Sequence, residues 1–305
     1  MGLKENIFGS FDFACVNDPA FKEDSVREEI IAPLLRGIGY SSSGANKLIR
    51  SKPLVHPYVL FGAQKRKINI VPDYLIAIGD KPCFVLDAKS PSEAITKGDN
   101  VAQVYSYAIH PEVRAWNYGL CNGKSLALFE ITSIEPKHVY DLTNLTDTAL
   151  LDINQKLNPR TLLDNKVLDY RLDGGTYLHY VMDIPLTTHL CFADVLIPYL
   201  GVVDEGRYCI NVVTTSMAEC ELCLTFDFNV SLLDKLLGQL AANVAEEIRR
   251  SLRRHPFVYE NHVAPPSTHI RCKLTTTPQF SRTGEMFFPL EVIDFPQLAD
   301  GKLKS

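Results

Sequence analysis

The chain has 305 residues, of which 46% are hydrophobic and 22% charged, and its formal net charge is −5. This length predicts two domains, with a single large domain as the alternative, and the composition is typical of folded proteins. Residues 1–150 carry 16 Lys and Arg against 17 Asp and Glu. This balance excludes a general electrostatic attraction to nucleic acid, so any contact with phosphates must be local.

Secretion and membrane insertion are not indicated by the sequence. No apolar run is long enough to cross a bilayer, and Lys4, Glu5 and Asp12 stand where a signal peptide would be hydrophobic. The eight cysteines are scattered, which favours reduced thiols over a disulfide framework. We therefore expect a cytoplasmic protein with no membrane partner.

An amphipathic helix is the first element predicted after an irregular lead-in over residues 1–22. Ser25 and Glu28 have the spacing of a capping box, and Val26 and Ile30 begin an apolar stripe. Glu29 lies beside this stripe. From the helix pattern alone it could be a solvated carboxylate or one that faces a functional site.

Strands are predicted over residues 47–55 and 58–61, followed by a basic turn over 64–67. Five cations of this region could follow a phosphate backbone, or they could simply be solvated. They are Arg50, Lys52, Lys65, Arg66 and Lys67.

The stretch 71–89 predicts an antiparallel hairpin, because two short apolar runs flank a polar turn at 79–82. Asp73 precedes the first run and Asp87 stands near the end of the second, so the hairpin places them side by side. Lys89 lies on the same face as Asp87, since side chains alternate along a strand. Such a group is costly to desolvate unless a cation joins it, which predicts a Mg²⁺ site; the alternative is a hairpin with solvated charges at its rim.

A helix over about 93–110 and a second hairpin over 116–131 follow. Gln103 and Tyr107 are four residues apart and therefore share one face of this helix. They could also belong to the core, with Gln103 as a partly buried amide. Asn122-Gly123 is the turn signal of the second hairpin.

Residues 141–165 predict a linker, because Asn, Asp, Thr and Pro interrupt any long apolar period. The second domain, 166–305, predicts strands over 178–184, 194–200, 208–214 and 221–228, and a long helix from Ser231 to Pro256. Four arginines end that helix. They could complement the helix dipole, bind phosphates or contact an acidic partner.

The segment Pro72-Asp73…Asp87-Ala88-Lys89 resembles the PD-(D/E)xK nuclease signature. Its surroundings are similar to the nuclease domain at the N-terminus of type I restriction enzyme R subunits. The similarity includes the helix 27–35, Gln103–Tyr107 and the turn 120–124, and it covers about the first half of the chain. It implies an α/β fold with the order αβββαβ and a mixed sheet flanked by helices, followed here by a second α+β domain.

The resemblance implies a magnesium-dependent endonuclease, with Mn²⁺ as a substitute ion, that acts on double-stranded DNA in prokaryotic restriction or defence. The metal ligands would be Asp73, Asp87, the Ala88 carbonyl and Glu29. Lys89 would act on the attacking water or on transition-state charge, and Gln103 and Tyr107 would support the substrate. Cutting both strands with one site per chain favours a homodimer or a partner subunit.

Two other functions stay open on the sequence. One is a catalytically silent nucleic-acid-binding or sensor protein that retains the nuclease fold, and the other is a nuclease that acts on RNA. The second domain would recognise a target or mediate oligomerisation.

Overall fold

The computed structural model describes residues 3–215, 217–218, 220–299 and 302–303, without the side chains of 56–61, 65–69, 298–299 and 302–303. The chain forms two compact units, Met1–Tyr170 and Arg171–Ser305. The division therefore falls after residue 170, and the segment 141–165 belongs to the first unit.

A mixed sheet is the centre of the first unit. Its strands, in spatial order, are β1 (Asn46–Arg50), β4 (Tyr74–Ile78), β5 (Lys81–Ala88), β6 (Asn117–Cys121), β7 (Ser125–Glu130) and β8 (His138–Asp141). Only β5 and β6 pair in parallel within this sheet. A parallel pair needs a crossover connection, and a helix between β5 and β6 provides it.

Helices cover both faces of this sheet. They are α1 (Leu3–Phe8), α2 (residues 23–38), α3 (Asp99–Ala108) and α4 (Asp147–Leu157). Alternating strand residues build two apolar clusters: Ile76 and Leu86 pack with α2, and Leu75 and Val85 pack with α3. The mixed α/β architecture is confirmed.

A separate hairpin corrects the prediction for the basic segment. β2 (Leu54–Phe61) pairs with β3 (Gln64–Ile70), so residues 64–67 lie in a strand and the turn is at 62–63. Gly62 has φ 60, a left-handed conformation that suits a two-residue hairpin loop.

The predicted linker contains helix α4, which begins after a cap: the Ala149 N–H donates to Thr146 Oγ1. Leu150, Ile153 and Leu157 are buried in the same cluster as α2. Their helical spacing is enough to anchor the segment, although polar turn residues on both sides hide it in the sequence.

The second unit is built on an eight-stranded, largely antiparallel sheet. The main strands in spatial order are β10 (His189–Leu196), β15 (Ser267–Leu274), β18 (Leu290–Asp294), β13 (Leu222–Asn229), β12 (Arg207–Thr214), β11 (Tyr199–Asp204) and β14 (Val258–Glu260). The short β9 (Leu172–Asp173) pairs with β13, and β16 (Gln279–Phe280) pairs with β17 (Met286–Phe287). Phe226 and Phe228 of β13 lie in the core, as their alternation predicts.

The helices described in the second unit differ from the prediction in two places. They are α5 (Gly174–Tyr180), α6 (Val230–Leu237) and α7 (Ala242–Leu252). The segment 178–184, predicted as a strand, is the end of α5 and the turn after it. The single long helix is two helices, because the chain is extended at Ala241. Among the described residues, no helix is both long and apolar enough to cross a membrane.

Candidate active site

The hairpin of β4 and β5 brings Asp73 and Asp87 together. Tyr74 pairs with Leu86, so the next positions outward are the two aspartates. The Asp73 N–H donates to Asp87 Oδ1 (3.1 Å), and the Ala88 N–H donates to Asp73 Oδ2 (2.8 Å). Each carboxylate is therefore held by the backbone beside the other one, at the open end of the hairpin.

Lys89 completes this group from the same strand. Its Nζ lies 2.5 Å from Asp87 Oδ2, and the side chain is buried. The Lys89 N–H donates to the Cys121 carbonyl (2.8 Å), which fixes the strand end against β6. Burial lowers the pKa of Lys89, but the hydrogen bond to Asp87 and the charges of Asp87, Glu23 and Asp73 raise it above its ordinary value overall. The side chain is therefore an ammonium group that donates hydrogen bonds.

Repulsion between carboxylates remains in the group. The pKa of Asp73 is raised by burial and by the charge of Asp87, although the Ala88 N–H, Arg27 and Lys89 act in the opposite direction. Such repulsion is relieved by a basic side chain, by a bound metal ion or by protonation of one carboxylate.

Helix α2 supplies a carboxylate that the sequence did not indicate. Glu23, at the start of the helix, is partly buried, and its pKa is raised by burial and by Asp73, with Asp87 and Glu93 adding to this repulsion. Glu29 is exposed, and its charge contributes to the raised pKa of Cys15. Six residues span roughly one and a half turns of this helix, which is π-helical over Val26–Ile31, so the two side chains point in different directions. Of these two helix carboxylates, Glu23 is the one whose charge interacts with both aspartates.

Arg27 was also missed and lies one helical turn after Glu23. Its Nε is 3.5 Å from Asp73 Oδ1, while one terminal nitrogen donates to Asp24 and the other to Ser51 Oγ (3.2 Å). The Nε atom is buried and makes no hydrogen bond within the described part of the chain. It could donate to an acceptor that enters the site. The spacing of Glu23 and Arg27 was the available signal.

Gln103 and Tyr107 interact on helix α3, as their spacing predicts. The Gln103 side-chain amide donates to the Tyr107 hydroxyl (2.6 Å), with Gln103 exposed and Tyr107 buried. Burial and the charge of Asp87 raise the pKa of Tyr107, which stays neutral. The pair therefore lies on the side of the sheet to which Asp87 points.

A loop after β5 is tied to the same place. The Ser90 N–H donates to the Glu93 carboxylate (3.0 Å), and Asn122 Nδ2 donates to the Glu93 carbonyl (2.9 Å). Glu93 thus joins the end of β5 to the β6–β7 turn. This contact keeps Lys89 in position.

The structure gives less support to the five predicted phosphate-binding cations than to the pair of aspartates. Arg50 is in β1, donates to Glu28 (2.9 Å) and lies over the Tyr74 ring, 5.6 Å from its centroid. Lys52 is partly buried in the connection to β2. Lys65, Arg66 and Lys67 belong to β3, and their side chains lie outside the described residues. Their contact with nucleic acid stays a prediction.

Two carboxylates of this group could hold a metal ion. Among the described side chains, no group of three or more His, Cys, Asp and Glu residues is arranged to hold a metal ion. Mg²⁺, however, usually keeps several waters and needs only one or two carboxylates. Asp73 and Asp87 meet this need, and the Ala88 carbonyl follows Asp87 directly. The repulsion between the two aspartates is what a divalent cation would neutralise.

Comparison with known proteins adds little. No family model matches the chain, and no curated protein matches it. Among solved structures, it is similar to a fragment of a protein described as an HsdR subunit of a type I restriction enzyme from Vibrio vulnificus YJ016. The identity is 17%, the TM-score is 0.31, and the match covers 52% of this chain and 36% of that chain. The matched part is thus about a third of that fragment.

Proposed function

We propose that this protein is a metal-dependent endonuclease that hydrolyses phosphodiester bonds, with DNA as its substrate. The observation that carries the proposal is the convergence of Asp73, Asp87 and the buried Lys89 at the open end of one hairpin. These are also the residues that resemble the PD-(D/E)xK signature. The proposal extends to Mg²⁺ as the cofactor and to a role in restriction or defence.

The ion would be held by Asp73 and Asp87, with the Ala88 carbonyl as a third oxygen donor. When bound, it supplies a water of lowered pKa and a positive charge next to the phosphoryl oxygens. Glu23 would orient the ion's waters, and its charge interacts with those of Asp73 and Asp87.

The chain's own residues position the phosphodiester and stabilise its charge. Lys89 is a buried ammonium group, so it donates to the attacking water or to a non-bridging oxygen as negative charge develops. Arg27 offers its buried Nε to another phosphate oxygen. Gln103 and Tyr107 hold the backbone on the α3 side. The water oxygen forms a bond to phosphorus and gives up a proton to the solvent, the bond to the opposite ester oxygen breaks, and that oxygen takes up a proton from the solvent.

One observation favours the alternative of a binding protein without turnover. Both oxygens of Asp87 already have partners, since Oδ1 accepts from the Asp73 N–H and Oδ2 from Lys89. In the proposed enzyme, a bound ion would supply part of this neutralisation, and Lys89 would then be free to donate to the substrate. In the binding protein, the Asp87–Lys89 pair persists and no reaction follows.

A cleavage assay separates the two functions. Plasmid, linear duplex, single-stranded DNA and RNA would be incubated with Mg²⁺, Mn²⁺ or EDTA and the wild-type protein, Asp87→Ala or Lys89→Ala. Asp80→Ala is the matched control, because Asp80 is exposed in the turn of the same hairpin. We expect metal-dependent cutting of DNA that both site variants abolish and the control retains.

The opposite results are equally clear. Cutting in EDTA, or cutting by both site variants, would remove these residues from the chemistry. Binding of nucleic acid without cutting under all conditions would favour the silent protein. Cleavage of RNA alone would change the substrate class. A double-strand break that depends on protein concentration would support a homodimer or a partner subunit.

A further inference from the structure

The cations of the second unit are concentrated in one short segment. Residues 171–305 contain 12 Lys and Arg against 16 Asp and Glu, yet four of the twelve lie within 249–254. They are Arg249, Arg250, Arg253 and Arg254, at the end of helix α7. The acidic second unit therefore contains one strongly basic segment.

These four arginines differ in their partners from five of the other basic side chains of the unit. Five others form ion pairs: Arg171 with Glu221, Arg207 with Asp227, Lys235 with Asp294, Arg271 with Asp294, and Lys273 with Glu291. The four arginines make no ion pair with any residue that the structure describes, although Glu246 and Glu247 precede them on the same helix. Their charge is available to an anion from outside the chain.

Helix α7 presents this charge on a fixed support. Ala245, Ile248 and Leu252 are buried and anchor one side of the helix. Arg250, Arg253 and Arg254 are exposed, and Arg249 is partly exposed. One or two cations are enough to complement the negative end of a helix dipole, so the dipole does not account for four.

An exposed aromatic side chain follows the arginines. Phe257 has φ 63, which is unfavourable for a bulky residue, and its side chain is still 45% exposed. The conformation is fixed by backbone contacts: the Phe257 N–H donates to the Arg254 carbonyl, and the Val202 N–H donates to the Phe257 carbonyl (3.1 Å). The ring lies 6.0 Å from that of His255. The turn thus displays an aromatic ring beside the arginines without burying it.

We propose that Arg249, Arg250, Arg253, Arg254, His255 and Phe257, together the basic patch, bind single-stranded nucleic acid. The arginines contact phosphates, which a planar guanidinium binds with two donors at once, and Phe257 stacks on a base. Arginine at all four positions fits this ligand better than a mixture of lysine and arginine would. The choice of nucleic acid as the ligand rests on the proposed function.

Binding is measured with labelled single-stranded DNA in EDTA, where no cleavage occurs, over a range of salt concentrations. Each phosphate contact contributes about 0.7 to the slope of log affinity against log salt for a single strand. The triple variant Arg250→Ala, Arg253→Ala, Arg254→Ala should therefore lower the slope by about 2 and weaken binding by roughly tenfold or more at low salt. Phe257→Ala should weaken binding roughly fivefold with the slope unchanged.

Two control variants keep the result specific. Arg282→Ala removes another exposed arginine of the same unit and should leave the affinity and slope unchanged. Replacing the same three patch residues by Lys should retain the slope, since the charge remains. Circular dichroism of each variant confirms that the fold is intact.

The proposal is overturned if the triple variant binds single-stranded DNA like the wild type, or loses no more than Arg282→Ala. It is also overturned if the wild type does not bind single strands. The same holds if the patch substitutions weaken binding to phosphatidylserine vesicles but not binding to single-stranded DNA. A nuclease failure is distinguishable: the wild type would then cut nothing with Mg²⁺, while patch-dependent binding in EDTA would persist. If the wild type cut DNA and its binding to single strands did not depend on the patch, only the proposal for the patch would be wrong.

Discussion

Asp87 in the first unit and Asp173 in the second are equally hidden, each with 4% of its surface exposed, but their surroundings differ. Asp173 Oδ2 accepts hydrogen bonds from the Thr176 N–H, the Thr176 hydroxyl and the Phe288 N–H. Asp87 faces Lys89, and its charge repels Asp73. Asp173 caps helix α5 and ties it to the strand region near Phe288, whereas Asp87 belongs to the group of charges around Lys89.

The same contrast holds for two buried lysines of the first unit. Lys156 donates to Asp152 and to the Tyr170 carbonyl (3.1 Å), which joins helix α4 to the end of the unit. Lys89 has carboxylates on several sides and lies at an open strand end. Burial of a charge therefore does not identify a functional site. The difference is the number of charges: Lys156 is satisfied by one carboxylate and a backbone carbonyl, whereas the charges of three carboxylates act on Lys89.

The largest effect is expected from Asp73→Asn. The amide oxygen can still accept from the Ala88 N–H, but the charge that would bind the ion is lost. Cleavage should fall at least about 1,000-fold, which corresponds to about 4 kcal/mol. The free energy of unfolding should change by less than about 1 kcal/mol or increase, because repulsion with Asp87 and Glu23 is relieved.

Plasmid cleavage with Mg²⁺ measures the first quantity, and urea unfolding followed by Trp116 fluorescence measures the second. Trp116 is the single tryptophan and reports on the first unit. Asp80→Asn, in the turn of the same hairpin, should leave both quantities unchanged. Retained cleavage, or a loss of more than about 2 kcal/mol in stability, would place Asp73 with the structural carboxylates instead.

Asp173→Ala should have the reverse effect. It leaves three buried donors without an acceptor, so the free energy of unfolding should fall by about 3 kcal/mol. Urea unfolding followed by circular dichroism measures this change, with the exposed Asp234→Ala as the control. The activity of the folded fraction should remain at the wild-type level. A neutral effect on stability would show that the three hydrogen bonds are replaced by other contacts.

The stability of the second unit should depend on pH through Asp173. Burial raises the pKa of Asp173 from 3.8 to about 6, against the hydrogen bonds from Phe288 and Thr176 that lower it. Between these values the folded state binds more protons than the unfolded state, so stability falls as the pH rises from about 4 to about 6.

Asp173→Asn provides the reference, because it cannot titrate. A difference of about two pKa units corresponds to about 3 kcal/mol. The unfolding free energy of the wild type minus that of Asp173→Asn should therefore decrease by up to about 3 kcal/mol between pH 4 and pH 6.5. An increase over this window would mean that the hydrogen bonds outweigh burial.

Local signals in the sequence were sufficient for part of the fold. The β4–β5 hairpin is predictable because two apolar runs bracket a polar turn, and its register brings Asp73 to Asp87. Helix α5 was not predictable in this way. It begins with Gly174 and Gly175, residues that normally interrupt helices. A Cβ atom at position 175 would lie 1.9 Å from the Phe288 carbonyl oxygen. Glycine is therefore required there by a contact with a residue that is distant in sequence.

The candidate site likewise contains residues that local sequence signals predict and residues that they do not. Asp73, Asp87 and Lys89 follow from one hairpin and could be assigned from the sequence. Glu23 depends on how α2 lies on the sheet. The capping pattern makes Ser25 the N-cap, three residues after the observed N-cap Lys22, and the π-helical segment Val26–Ile31 changes the direction of later side chains. Neither property can be recognised from the sequence of the helix alone.

The smallest effect separates the two glutamates of this helix. Glu23→Gln removes a charge that interacts with Asp73 and Asp87. We therefore expect the affinity for Mg²⁺, obtained from the dependence of the cleavage rate on Mg²⁺ concentration, to be roughly tenfold weaker, as for other groups that orient the ligands of a metal. Glu29→Gln is the matched control on the same helix and should leave the metal requirement within about twofold of the wild type. Initial cleavage rates over a series of Mg²⁺ concentrations measure both. If Glu29→Gln had the larger effect, α2 would have to turn on the sheet when the ion binds, and the assignment of Glu23 to the site would be wrong.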